Sequence, residues 1–199
     1  MTQRLGFYGG TFDPIHHGHL NLAMCMLEQY KLDAVWFCPA SRNPFKEDGS
    51  APSAQDRLEM TALAIKPYAP LFRCLDIEVK RGGASYTYDT IQELTNTYPH
   101  QFHLILGEDS LASFSKWRNA KELLDLAPPL IGLRARSEFK GDPDTEKLLK
   151  THLELMPSIS MMDISSTEIR ERIKKGLISN HLLPQSVIDY INDHQLYKN

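Results

Sequence analysis

The run AVWFC (34–38) is apolar throughout and rich in β-forming residues, and FHLILG (102–107) and LIGLR (130–134) are mostly apolar. A strand that is apolar on both sides has to be covered on both faces, which is the situation of a parallel sheet layered between helices. The intervening segments carry helical spacing instead. Leu20, Ala23, Met24, Leu27 and Tyr30 predict an amphipathic helix over 18–30, and Leu58, Leu63 and Ile65 predict another that Ser53 caps and Pro67 closes. Strand and helix alternate along the chain, so the expected class is α/β: a doubly wound parallel sheet with helices on both faces.

The remaining segments fit that plan. RLGFY (4–8) reads as a first strand ending at Gly9-Gly10, and the breaker-rich stretch 40–52 as a loop. Residues 71–79 alternate enough for a strand that Arg81-Gly82-Gly83 ends, and a helix over 88–98 follows. Asn119 and Glu122 have the spacing of a capping box before KELLDLA, and Asp142-Pro143 opens a further helix. ISMMDI (159–164) is expected as the last strand. A helix from Ser165 to Lys175, stopped by Gly176, and another begun by Pro184 form a C-terminal helical part over about 165–199.

Composition narrows the partners. A net charge of −3 over 199 residues gives no long-range pull toward a nucleic-acid polymer, so an anionic ligand has to be held by local groups. Cys25, Cys38 and Cys74 form no CxxC pair, and the first two sit in apolar runs as small hydrophobes do. An odd count without a disulfide framework favours a reducing compartment. MTQRLGFYGG lacks the apolar core of a signal peptide, and no run approaches membrane-spanning length, so the expected setting is the cytoplasm with no membrane partner.

Two stretches carry chemistry. In GGTFDPIHHGHL (9–20), Gly9 and Gly10 follow the first strand, where missing side chains let a ligand approach the backbone. Thr11 adds a hydroxyl, and His16 and His19, three apart at a helix start, can point the same way. Helix N–H groups and the positive end of the dipole complete an anion site. Metal ligation is a rival, although His16-His17-Gly18-His19 supplies no evident third ligand; polar filler at a helix start is another. DISSTEIRERI (163–173) also begins a helix. Ser165-Ser166-Thr167-Glu168 has the form of a capping box, yet three hydroxyl residues followed one turn later by Arg170 also suit a polyphosphate.

GTFDPIHHGH resembles the HxGH motif of the nucleotidyltransferase superfamily, and ISSTEIR resembles that superfamily's ISSTxIR motif. SYTYDT (85–90) and GEDSLASFSKW (107–117) are similar to the SYTxDT and GxDxxxxxxxW segments of bacterial nicotinate mononucleotide adenylyltransferases. The resemblance runs from Gly9 to the C-terminal helix and implies one Rossmann-like nucleotidyltransferase domain over 1–199. It implies that ATP is held by Gly9, Gly10, Thr11, Phe12, His16, His19, Gly107, Asp109, Ser165, Ser166, Thr167 and Arg170. His16, His19 and Arg170 are then the catalytic groups. Lys46, Ser85, Tyr86, Thr87, Trp117 and Arg134 hold the mononucleotide, with Trp117 offering a flat face to the pyridinium ring. The loop PASRNPFK (39–46) departs from the family pattern: Phe45 stands where the family has a histidine, and Asn43 where it has a proline.

The implied reaction is adenylyl transfer from ATP to nicotinate mononucleotide, with Mg²⁺ carried on the ATP phosphates. It needs no protein nucleophile, and the sequence offers no Ser-His-Asp or Cys-His set. Acceptors such as nicotinamide mononucleotide or phosphopantetheine stay open, as does an ATP-sensing module without turnover. Homo-oligomer formation is likewise open.

Overall fold

A computed structural model describes residues 2–44, 52–112, 114–132, 142–153 and 162–198. The first three strands are β1 (Arg4–Gly10), β2 (Ala34–Pro39) and β3 (Phe72–Cys74), followed by β4 (Gln101–Gly107) and β5 (Pro129–Gly132). Helix α1 (His17–Gln29) follows β1 and α2 (Ala54–Ile65) follows β2. After β3 come α3 (Ile77–Arg81) and α4 (Thr87–Thr97), and after β4 come α5 (Glu108–Leu111) and α6 (Ala120–Leu126). The chain ends with α7 (Pro143–Leu153), α8 (Ser166–Lys174) and α9 (Gln185–Asp193). The sheet order is β3-β2-β1-β4-β5, so the winding direction reverses after β3, when β4 takes the other side of β1. In doubly wound sheets ligands collect beyond the carboxyl end of the strands at such a reversal. For β1 that end is Gly9-Gly10. Among the described residues, no helix is long and apolar enough to cross a membrane.

The chain divides into two compact units. One comprises Met1–Tyr8, Leu22–Trp36 and Tyr86–Met161. Here β1 and β4 run parallel with Leu5 opposite Phe102, and β4 and β5 run parallel with Ile105 opposite Leu130. Phe7, Met26, Ile91, Phe102 and Phe114 are fully buried, each stabilising by about 1.5–3 kcal/mol. At Gly6 the packing is close: a Cβ there would lie 2.7 Å from Ile105 Cδ1 and 3.0 Å from Leu32 Cδ1, so those side-chain ends would have to shift.

The other unit comprises Gly9–Asn21, Phe37–Ser85 and Met162–Asn199. Phe37, Cys38, Met60, Ile169 and Val187 form its core. Ser53 and Asp56 build the capping box of α2, and Tyr190 of α9 donates to Asp56 Oδ1 at 3.0 Å.

Several elements differ from the sequence expectation. The strand expected over 71–79 stops at Cys74, and Ile77–Arg81 is helical. Its β-branched residues mimic alternation, but Glu78 at the start and Lys80-Arg81 at the end complement a helix dipole, and Asp76 pairs with Lys80 at 2.8 Å. No capping box forms at Asn119, which takes the left-handed conformation (φ 50°, ψ 42°) and makes no side-chain cap. The helix expected over 88–98 runs from Thr87 to Thr97, with Tyr86 at the N-cap position. On α1 the deepest residues are Leu22, Ala23 and Met26, with Met24 and Leu27 half-buried. Cys25 is half-buried too, whereas Cys38 is buried as expected. Of the expected strand 159–164, residues 162–164 are not strand and the rest lies outside the described residues.

Candidate active site

Two of the three histidines of HHGH, His16 and His19, make a capping box of their own. His16 precedes the first residue of α1, and His19 is the third residue within it. The His19 N–H donates to His16 Nδ1 at 3.3 Å, and the His16 N–H donates to His19 Nδ1 at 3.2 Å. This is the reciprocal pattern that Ser and Glu usually provide, here made by two imidazoles. Their rings stack with centroids 3.7 Å apart and planes 24° from parallel. Because each Nδ1 accepts, each ring carries its proton on Nε2. Gly18 leaves room for the stack: a Cβ there would lie 3.0 Å from two atoms of the His16 ring, which would have to give, and 3.4 Å from Ile164 Cβ. His17 is half-buried and donates through its N–H to the Leu182 carbonyl at 3.0 Å.

Phe12, in a left-handed conformation (φ 48°), places its ring edge-on to His19 at 5.1 Å. The same ring fills the space above Gly10, where a Cβ would meet it at 3.0 Å. The room at Gly10 is therefore taken by an aromatic side chain, which is buried at 2% exposure.

The start of α8 closes on the loop between β1 and α1. Ser165 is extended and makes no side-chain cap, so the capping box legible at 165–168 is absent. Ser166 instead donates its hydroxyl to the Pro14 carbonyl at 3.0 Å. Arg170 donates through Nη1 to the Asp13 carbonyl at 2.7 Å and through Nη2 to Thr167 Oγ1 at 3.2 Å. Ile164, one residue before Ser165, is the side chain that faces Gly18. The HxGH loop and the ISSTEIR helix start thus form one structure within one unit.

Arg57, which sequence reasoning passed over, holds this structure in place together with Asn43 and Ser85. Arg57, only 5% exposed, donates to the carbonyls of Thr11 (2.8 Å), Ala40 (2.6 Å) and Ser41 (2.7 Å). One guanidinium thereby ties the loop after β1 to the loop after β2. Asn43 donates to Thr11 Oγ1 at 3.2 Å, leaving the Thr11 hydroxyl as acceptor in that bond. Ser85 Oγ accepts from the Ser41 N–H at 2.9 Å, and the Ser85 N–H donates to the Arg42 carbonyl at 2.9 Å, so Ser85 braces this loop.

In the other unit, Arg118 lies 5.2 Å from the Tyr86 ring centroid and pairs with Asp89 at 2.9 Å. Trp117 is half-buried, with its ring 5.1 Å from Phe114. Thr87 is the first residue of α4 and Gly107 the last of β4. At Gly107 a Cβ would only touch Leu22 at 3.5 Å, an ordinary contact. Asp109 is the second residue of α5, directly beyond β4. Lys46 and Arg134 lie outside the described residues.

Residues 7–172 match the cytidylyltransferase-like family model. A protein of Methylacidiphilum infernorum named "Probable nicotinate-nucleotide adenylyltransferase" is 42% identical over 98% of this chain and 92% of its own length. One of the same name from Oceanobacillus iheyensis is 40% identical, covering 98% of this chain and 97% of its own. Among solved structures, Plasmodium falciparum nicotinic acid mononucleotide adenylyltransferase complexed with NaAD superposes with a TM-score of 0.76. That match covers 98% of this chain and 97% of the other at 22% identity, and carries the fold. With full-length relatives at this identity, the chain belongs to the cytidylyltransferase-like family and, within it, to the nicotinate-nucleotide adenylyltransferases.

Proposed function

We propose that this protein transfers the adenylyl group of ATP to nicotinate mononucleotide, giving nicotinate adenine dinucleotide and pyrophosphate. The observation that carries the reading is the junction of α8 with the HxGH loop, where Ser166 meets Pro14 and Arg170 meets Asp13. It gathers imidazole, hydroxyl and guanidinium donors at two helix starts, which is what a triphosphate needs.

The chemistry asks for position and charge neutralisation. A phosphate oxygen of the mononucleotide bonds to the α-phosphorus while the bond from that phosphorus to the β-phosphate bridging oxygen breaks, and its electrons leave with pyrophosphate. His16 and His19 meet the α-phosphate with Nε2–H donors whose direction the mutual cap has fixed before ATP arrives. Ser165, Ser166, Thr167 and Arg170 hold the departing pyrophosphate. Thr11 contributes a hydroxyl beside the histidines, and Trp117, Tyr86 and Thr87 serve the mononucleotide. Mg²⁺ enters as part of the ATP substrate, since imidazole, hydroxyl and guanidinium groups suit phosphate oxygens better than a hard cation.

The test is direct. Purified protein is mixed with ATP, Mg²⁺ and one acceptor at a time: nicotinate mononucleotide, nicotinamide mononucleotide or phosphopantetheine. Mass spectrometry should find the nicotinate dinucleotide formed fastest, with one pyrophosphate per product. Turnover of another acceptor alone, or ATP binding with no product, would replace this reading.

A further inference from the structure

Tyr197, far along the chain from the histidines, donates its phenol to Asp13 Oδ1 at 2.7 Å. The other oxygen of that carboxylate, Oδ2, stands 3.6 Å from Arg170 Nη1, the nitrogen that also donates to the Asp13 main-chain carbonyl. Asp13 is 8% exposed. Phenol, carboxylate and guanidinium therefore form one contiguous chain of contacts inside a single unit. Bringing the phenol there takes backbone that side chains disfavour: Gln195 and Tyr197 both have left-handed φ, 54° and 63°. Such conformations persist where the surroundings over-determine them. Burial, and then the charge of Asp13, pushes the phenol well above its ordinary pKa, so it stays a donor. A carboxylate with one oxygen bound has its plane fixed, and the second oxygen then has a fixed direction too.

We propose that Tyr197 is a positioning residue for Arg170: by fixing the plane of the Asp13 carboxylate, it sets the aim of the guanidinium at the departing pyrophosphate. The inference rests on the adenylyl transfer proposed above.

Tyr197→Phe removes the donor and little else. It should lower kcat on the order of tenfold, because misdirection of a transition-state group is felt in turnover, while KM for the mononucleotide holds. In an Arg170→Ala background, assayed at high enzyme concentration, Tyr197→Phe should cause no further loss, since residues acting through one group are not additive. Asp13→Asn run through the same cycle should behave alike, and it decides the matter if Tyr197→Phe folds poorly. An unchanged kcat, or the same loss with and without Arg170, would mean that Tyr197 is structural only. An active wild type with an unaffected variant overturns this inference alone. A wild type releasing no pyrophosphate overturns both it and the reading beneath it.

Discussion

His16 and His19 cap the same helix for one another, N–H to Nδ1 in both directions at 3.2 and 3.3 Å. One pair of bonds both starts α1 and decides which ring nitrogen carries the proton. His19→Ala should therefore lower kcat on the order of 10²–10³, the usual cost of one charge-stabilising donor. It should also cost about 1 kcal/mol of stability as a lost cap. Pyrophosphate release measured beside a urea melt separates the two effects, and turnover near that of the wild type would remove His19 from the chemistry.

Gly18→Ala tests the stack rather than the donors. The added methyl would arrive 3.0 Å from a His16 ring that is already bonded on one edge, so the ring has to tilt. Alanine favours a helix interior over glycine by about 1 kcal/mol, and Gly18 lies in α1. Stability should hold roughly level while kcat falls, a divergence seen by pairing thermal melts with steady-state rates.

Arg57→Ala should be strongly destabilising although it lies outside the motifs. It strips the donor from three loop carbonyls at a site 5% exposed, and unsatisfied buried groups cost about 1–3 kcal/mol each. A loss of roughly 3 kcal/mol or more is expected in denaturant unfolding. Arg57→Lys should recover only part of it, because an ammonium cannot reproduce the planar fork.

Trp117→Ala should raise KM for nicotinate mononucleotide far more than KM for ATP. Its ring is half-buried against Phe114, so part of its area remains to meet a ligand. Equal increases for both substrates would identify a packing tryptophan.

His103 on β4 gives stability a dependence on pH. Burial, and then the positive charge of Arg4, lowers its imidazole below the ordinary 6.5. Under mildly acid conditions the unfolded chain takes up a proton that the folded chain resists. Stability is thus complete above the unfolded value and declines as pH falls from there toward the folded one. Urea midpoints at about pH 7.5 and about pH 5.5 should drop more for the wild type than for His103→Phe.

Much of this was legible where the cause is local. The apolar runs at 34–38 and 102–107 became β2 and β4, and Asp142 caps α7 by accepting from the Thr145 N–H at 2.9 Å. Ile77 and Val79 misled because β-branched alternation and a single helical turn look alike over so few residues. Ser165 misled because its neighbour's hydroxyl found Pro14, which no local rule foresees. Arg57 did leave a signal: it occupies the helical register of Met60, Thr61 and Ala64, all buried, where an apolar residue is expected. Tyr197 left none, because its partner Asp13 is 184 positions away.

The guanidinium of Arg57 reaches both loops only while each keeps its length as far as the carbonyl it presents. An extra residue between Gly10 and Thr11, or between Pro39 and Ser41, would shift a carbonyl out of range. Beyond these anchors the chain is released from that constraint. Variation in length among enzymes of this kind should therefore fall past Asn43, while the segments from Gly10 to Thr11 and from Pro39 to Ser41 keep a constant span whatever acceptor is used.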